Sequence, residues 1–137
     1  SAASDVYKRQ SLVVKDKKIL GIAGDAGFMM NVQEMETARR LNCNIVMMVW
    51  EDKSYGLIEW KQNESFGHHT DLSFGNPDWI QLAESFGWQG IAVNRASDLT
   101  FNLELAFDTE GPSLLVLPID YSENQILSRK LEKIASA

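Results

Sequence analysis

The stretch KILGIAGDAGFMMN, residues 18–31, joins a short apolar run to a lone acid that lies between glycines. The run at 19–23 is bounded by Gly24, and it predicts a strand that is buried on both faces of a sheet. Asp25 follows directly, at the open end of that strand. Placing a carboxylate there is costly unless a cation or strong hydrogen-bond donors meet it. The stretch therefore predicts a buried strand that carries an acid to a binding site.

Apolar runs and helical patterns alternate along the rest of the chain. The predicted strands are 18–23, 44–50, 90–93 and 113–119, and the predicted helices are 32–41, 55–66, 76–86, 97–107 and 123–134. In the helix at 76–86, Asn76 is the predicted cap and Pro77 the first helical residue. This alternation predicts an α/β doubly wound domain, in which helices cover both faces of a parallel sheet. Four strands are few for such a domain, so we expect it to be truncated.

Residues 1–10, SAASDVYKRQ, show no periodicity and no clear link to the sequence that follows. We expect this segment to be a non-native or disordered leader, and the domain to occupy residues 11–137. Because the chain does not begin with Met and the folding signals start abruptly near Ser11, we also expect it to be a piece of a longer protein.

Composition excludes several classes of partner. The formal net charge is −6 over 137 residues, which argues against a basic face that binds nucleic acid. An anionic ligand would have to be held by backbone donors or by a bridging metal. A single cysteine, Cys43, excludes an internal disulfide and fits a reducing compartment. No apolar run approaches the length of a membrane span. We therefore expect a cytoplasmic protein that binds neither membranes nor nucleic acid.

Two acids follow predicted strands, Asp25 after 18–23 and Asp52 after 44–50. Ligands of open parallel sheets bind beyond the carboxyl ends of the strands, so these carboxylates converge if the two strands are neighbours. Paired carboxylates suit Mg²⁺, and the small residues Ala26 and Gly27 let N–H groups approach a phosphate. The residues thus suggest a metal–diphosphate site. The alternative, that each acid is only a turn or cap residue, stays open on this pattern alone.

A longer pattern resembles a known family. The segment GDAGFMMNVQEMETARRLNCNIVMMVWEDKSYG, residues 24–56, resembles the thiamine-diphosphate motif, in which Gly-Asp-Gly is followed some two dozen residues later by a pair ending in Asn or Asp. From Lys18 to Asn124 the chain is similar to the C-terminal, diphosphate-binding domain of the acetolactate synthase family. The similar segments, in the family's order, are NVQEMETARRLNCNIV (31–46), LSFGNPDW (72–79), LAESFGW (82–88) and EGPSLLVLPIDYSEN (110–124).

The resemblance implies a set of site residues. The implied Mg²⁺ ligands are the side chains of Asp25 and Asp52 and the main-chain oxygen of Ser54. The implied cofactor-binding residues form two loops, Gly24, Asp25, Ala26 and Gly27 in the first and Asp52, Tyr55, Gly56 and Leu57 in the second. Ala26 replaces the motif's usual Gly, so a left-handed backbone there would be strained. Glu51 replaces the first residue of the usual Asn pair.

The resemblance also implies a reaction, in which two pyruvates condense to 2-acetolactate with loss of CO₂, on thiamine diphosphate and Mg²⁺. It implies pyruvate or another 2-oxo acid as substrate, a place in branched-chain amino acid biosynthesis, and possible FAD in the full-length enzyme. N-terminal and central domains would be missing here, and the full-length form would be a homo-oligomer. The family's activating glutamate belongs to another domain, so we expect no catalytic residue in this chain and no activity from it alone.

Three alternatives remain from the sequence. A second thiamine-dependent enzyme, such as a 2-oxo acid decarboxylase, would share the site at Asp25 and Asp52. A plain nucleotide-binding module would bind its ligand without Mg²⁺, and an inert structural fragment would bind nothing. His68, His69 and Asp71 are interpreted as a polar loop cluster rather than a second metal site.

Overall fold

The computed structural model describes residues 2–14 and 16–121. The strands are β1 (Ile19–Gly24), β2 (Ile45–Glu51), β3 (Gln89–Ala92) and β4 (Ser113–Pro118). The helices are α1 (Ala2–Val13), α2 (Asp25–Met29), α3 (Glu34–Arg40), α4 (Gly56–Phe66), α5 (Trp79–Ser85) and α6 (Leu99–Asp108), and a 3₁₀ turn at Ala96–Asp98 precedes α6. Each of the four predicted strands is present. The helix predicted at 123–134 lies outside the described residues. Within those ranges, no helix combines the length and the apolar character that crossing a membrane requires.

The four strands form one parallel sheet in the order β1-β2-β4-β3. β1 and β2 are neighbours in register, with Gly24 opposite Trp50, so the residues that follow each strand emerge side by side. β4 lies on the other side of β2, with Leu117 opposite Trp50. The condition that the sequence left open, adjacency of the strands that carry the two acids, is therefore met.

Apolar side chains alternate between the two faces of the sheet, because successive residues of a strand point to opposite sides. On one face Ile45, Met47 and Val49 pack with Leu114 and Val116 beneath α3 and α5. On the other, the intervening residues of β2 and β4 pack against α6; the buried members of that cluster are Val46, Met48, Ile91, Val93, Ala106, Leu115 and Leu117. Helices thus cover both faces, and the predicted α/β doubly wound fold is confirmed.

The amino-terminal residues differ from the expectation. Residues 2–10, for which the sequence predicts no regular structure, belong to α1, which packs against β1. Tyr7 lies against the core cluster beneath α3, and a Cβ on Gly21 would come within 2.8 Å of its ring. Lys8 forms an ion pair with Glu34 of α3. Ala3, Val6 and Tyr7 have the i, i+3, i+4 spacing of a helix, a short signal that the sequence analysis missed. Gly21 in β1 leaves room for the Tyr7 ring. The division of the chain at residue 10 stays a prediction.

Two differences from the predicted helices bear on the candidate site. The helix predicted to open at Asn76 begins at Trp79, because the Asp78 side chain accepts the N–H groups of Ile80 and Gln81, each at 3.0 Å, and so is the cap. A short helix, α2, begins directly at Asp25, where the sequence predicts only a loop. The first difference frees the Asn76 side chain for other partners.

Candidate functional site

Asp25 lies at the junction of β1 and α2 and is almost completely buried, with 1% of its surface exposed. Its Oδ1 accepts the N–H of Ala26 at 2.8 Å. Its Oδ2 accepts the N–H of Lys53 at 2.9 Å and the side-chain amide of Asn76 at 2.7 Å. These neutral donors offset part of the cost of removing a carboxylate from water. They also fix the orientation of the carboxylate within the site.

Asp52 directly follows β2 and lies near Asp25. Its Oδ1 accepts the N–H of Ser54 at 3.3 Å. Desolvation raises the pKa of the Asp52 carboxyl above its ordinary value, the Ser54 N–H opposes that shift, and the charge of Asp25 adds to it. The N–H of Lys53, the residue after Asp52, reaches Asp25 Oδ2 at 2.9 Å, and the strands that precede the two acids are adjacent. The structure therefore brings together the two acids that the sequence singled out.

Lys53 is a residue that the sequence analysis missed. It is one of two non-glycine residues with a positive φ among those described, at 58°, and this left-handed conformation points its N–H at Asp25. Such a backbone costs free energy for a residue with a Cβ and persists only when its surroundings hold it in place. Nothing in the residue type signals this role, because the donor belongs to the main chain.

The second predicted loop, from Asp52 to Leu57, is held against residues 72–74 by hydrogen bonds and ring packing. The N–H of Tyr55 donates to the Leu72 carbonyl at 3.2 Å, and the Tyr55 and Phe74 rings pack with centroids 5.2 Å apart. Gly56 begins α4, and a Cβ at that position would lie 2.6 Å from Asp52 Oδ2. Only a glycine therefore leaves Asp52 room to adopt its observed position.

The first predicted loop has a conformation different from the expected one. Gly24 is extended, and Ala26 and Gly27 belong to helix α2. Ala26 has no positive φ, so the strain that a left-handed backbone would bring does not arise at this residue. Leu57 is 70% exposed at the start of α4. The Ser54 hydroxyl donates to Glu59 at 3.0 Å, and the expected role of the Ser54 main-chain oxygen stays a prediction.

Glu51 and Asn76 complete the surroundings of the acid pair. The Asn76 amide donates to Glu51 Oε1 at 2.9 Å as well as to Asp25, and the indole N–H of Trp79 donates to the same Glu51 oxygen at 2.8 Å. Tyr121, which follows β4, lies beside Gly56, since a Cβ built on that glycine would be 4.0 Å from its ring, and desolvation together with the charges of Asp52 and Asp25 raises the pKa of its phenol. The sequence pattern had indicated Asn76 only as a helix cap. Asp78, three residues before Gln81, is also a good helix-cap residue. This signal could have shown that Asn76 is not the cap.

The histidines of the polar loop after α4 make only local contacts among the described residues. His69 lies 3.6 Å from Glu59 and His68 bonds to the Phe66 carbonyl, both at the surface. Among residues 2–14 and 16–121, no group of three or more His, Cys, Asp or Glu side chains is arranged to hold a metal ion. The interpretation of this loop as a polar cluster stays a prediction.

The acid pair has the chemistry of a site for a hard divalent cation. Two carboxylates share one edge of the sheet, and a cation between them would offset the repulsion between their charges. The absence of a Cβ on Gly56 gives Asp52 room for its observed position, and three N–H donors orient the buried Asp25. With only two side-chain ligands, such a cation would take its remaining oxygens from the main chain and from a ligand such as a phosphate, as Mg²⁺ commonly does.

Comparison with known proteins identifies the family of the domain. The family model for the thiamine pyrophosphate enzyme, C-terminal TPP binding domain, matches residues 7–117. The chain is 37% identical to acetolactate synthase of Bacillus subtilis over 124 residues, which is 90% of this chain and 22% of that protein. It is 34% identical to the catabolic acetolactate synthase of Raoultella terrigena over 120 residues, 88% of this chain and 22% of that protein.

A solved structure has the same fold. The thiamine diphosphate-dependent 4-hydroxybenzoylformate decarboxylase of Rhodococcus jostii superposes with a TM-score of 0.80 at 21% identity, over 88% of this chain and 23% of that one. The chain spans about a fifth of the length of the curated relatives that it matches. On the match over residues 7–117, this chain belongs to the C-terminal TPP-binding domains of the thiamine pyrophosphate enzymes, and within them it is similar to the acetolactate synthases.

Proposed function

We propose that this chain binds the diphosphate of thiamine diphosphate through Mg²⁺ in an acetolactate synthase-like enzyme. The observation that carries the proposal is the convergence of the buried Asp25 with Asp52 at the ends of two adjacent strands. In this proposal both carboxylates and the main-chain oxygen of Ser54 hold the cation. The residues that surround the diphosphate are Gly24, Ala26, Gly27, Tyr55, Gly56 and Leu57.

The part played by this chain is binding and orientation. Asp25 is held by three N–H donors before any cation arrives, so little ordering remains to be done on binding. Asp52 has one such donor and can adjust to the cation. When bound, thiamine diphosphate supplies an electron sink that allows a carbon–carbon bond beside a carbonyl to break. We assign no catalytic residue to this chain.

The reaction proposed for the whole enzyme is the condensation of two pyruvates, or of pyruvate with another 2-oxo acid, to a 2-acetolactate-type product and CO₂. The names and identities of the two acetolactate synthases support this choice. We propose in addition a homo-oligomeric enzyme with further domains, FAD in its full-length form, and a place in branched-chain amino acid biosynthesis. A cytoplasmic location suits the single buried thiol of Cys43.

Calorimetry tests the binding proposal directly. Thiamine diphosphate is titrated into the 137-residue chain with Mg²⁺ and with EDTA in its place, and ADP is titrated as a comparison ligand. We expect binding of thiamine diphosphate that requires Mg²⁺ and is lost in Asp25→Asn and Asp52→Asn. Asp98→Asn, in the 3₁₀ turn before α6, is the matched control and should bind normally. Binding that is equal without Mg²⁺, or no binding at all, would contradict the proposal.

A further inference from the structure

The Asn76 side chain bridges two carboxylates, that of Asp25 after β1 and that of Glu51 at the end of β2. Its amide nitrogen lies 2.7 Å from Asp25 Oδ2 and 2.9 Å from Glu51 Oε1. A side-chain amide has two N–H hydrogens, so both are used on carboxylates. The opposite orientation of the amide would put its carbonyl oxygen against two negative charges. In the observed orientation that oxygen is buried, with no hydrogen-bond partner among the described residues.

Glu51 anchors this arrangement from the side of the core. Its Oε1 accepts the indole N–H of Trp79, which is 7% exposed and packs in the core cluster beneath α3. Because Trp79 holds Glu51 in place, the hydrogen bond from Asn76 to Glu51 fixes the Asn76 amide. The same amide orients Asp25. A buried acceptor without a partner costs free energy, and the two hydrogen bonds to charged groups offset it.

The charge of the bridging residue matters as much as its geometry. A lysine or arginine at position 76 could also hold two carboxylates, but its positive charge would compete with a cation for Asp25. An amide donates two hydrogen bonds and stays neutral, so the negative charge of Asp25 remains available. From this geometry we propose that Asn76 is a positioning residue that orients Asp25 for a divalent cation. The inference rests on the cation site proposed above.

The first experiment needs neither metal nor cofactor. Hydrogen exchange is measured at the amides of Ala26 and Lys53, which donate to Asp25, in the metal-free chain. Asn76→Ala should speed exchange at both amides several-fold, because Asp25 loses the donor that orients it. The matched control is Asn102→Ala, which removes an amide hydrogen bond of 2.8 Å to the Asp98 carbonyl on the other face of the sheet. It should leave both amides unchanged.

The second experiment measures the affinity for Mg²⁺ at a fixed concentration of thiamine diphosphate. Asn76→Ala should raise the Kd for Mg²⁺ about tenfold, the effect of losing one hydrogen bond to a charged group. Asn76→Lys should raise it further, although a lysine can still donate to Asp25 and Glu51. A purely structural role would let the lysine restore binding, so this variant separates orientation with a neutral donor from simple packing. Asn102→Ala should bind Mg²⁺ like the unchanged chain.

The outcomes distinguish the two proposals. Unchanged exchange at Ala26 and Lys53 in Asn76→Ala, or normal Mg²⁺ affinity in Asn76→Lys, would overturn the role of Asn76. Faster exchange in Asn76→Ala together with no Mg²⁺-dependent binding by the unchanged chain would overturn the proposed function and still support the positioning of Asp25. Faster exchange together with weaker Mg²⁺ binding supports both.

Discussion

Asp25 and Asp52 share one edge of the sheet but differ in their surroundings. Asp25 is buried and accepts three hydrogen bonds, whereas Asp52 is partly exposed and accepts one from Ser54. The first is therefore a fixed group and the second an adjustable one. A site that combines them can be oriented before binding and still adapt to the cation.

Glu51 and Asp52 are adjacent, and the proposed site assigns them different roles. We expect Asp52→Ala to weaken binding of thiamine diphosphate with Mg²⁺ by about a hundredfold, and Glu51→Ala by about threefold. Asp52 would lose a direct ligand, whereas Glu51 only anchors Asn76. Calorimetry on both variants checks the ranking. If Glu51→Ala proved the more damaging change, the assignment of Asp52 as the second ligand would fail.

Ala26 gives a second prediction at this scale. The usual glycine of the motif suggests that Ala26→Gly would relieve strain, but Ala26 is helical and has no strain to relieve. We therefore expect the substitution to lower the free energy of unfolding by about 0.5–1 kcal/mol, the usual cost of glycine in a helix. Thermal denaturation of the metal-free chain measures this. A stabilised Ala26→Gly variant would show that the loop has a different backbone in solution.

Gly56 lets the start of helix α4 lie close to the Asp52 carboxylate. A methyl group at position 56 would meet Asp52 Oδ2, whereas a Cβ on Gly75 would meet nothing within 4 Å. We expect Gly56→Ala to displace Asp52 and to raise the Kd for Mg²⁺ at least tenfold, and Gly75→Ala to leave the Kd within about twofold. Titration with Mg²⁺ compares the two variants. Equal affinities would mean that Asp52 can move without loss of the cation.

At the scale of elements, the strands were predictable because a short, continuous apolar run such as 44–50 is typical of a strand buried on both faces. The pairing of Asp25 with Asp52 followed once β1 and β2 were neighbours. Asn76 and Lys53 were not predictable in the same way. One reaches Asp25 from 51 residues away, and the other contributes only a main-chain N–H in an unusual conformation. Local sequence carries no signal of either contact.

At the scale of the whole molecule, we propose a binding role for this chain and assign it no residue for turnover. We expect the 137-residue chain to form no acetolactate when incubated with Mg²⁺, thiamine diphosphate and pyruvate, because we assign no acid or base in it that could activate the cofactor. Assays for acetolactate and CO₂ against a cofactor-only control test this. Turnover above that control would mean that the chain contains a catalytic group that we have not assigned.

The position of β4 has a consequence for synthesis on the ribosome. β4 pairs with both β2 and β3, although it is the last of the described strands to be translated. Until Ser113–Pro118 has left the exit tunnel, β2 lacks its partner β4 and one edge of β2 stays unpaired. The β2 residues Ile45–Val49 are all apolar. Open apolar strand edges recruit other chains. A premature stop codon before Ser113 would therefore yield an aggregation-prone product rather than a smaller version of the same domain. Chaperones would have to hold that product in solution, or proteases would degrade it.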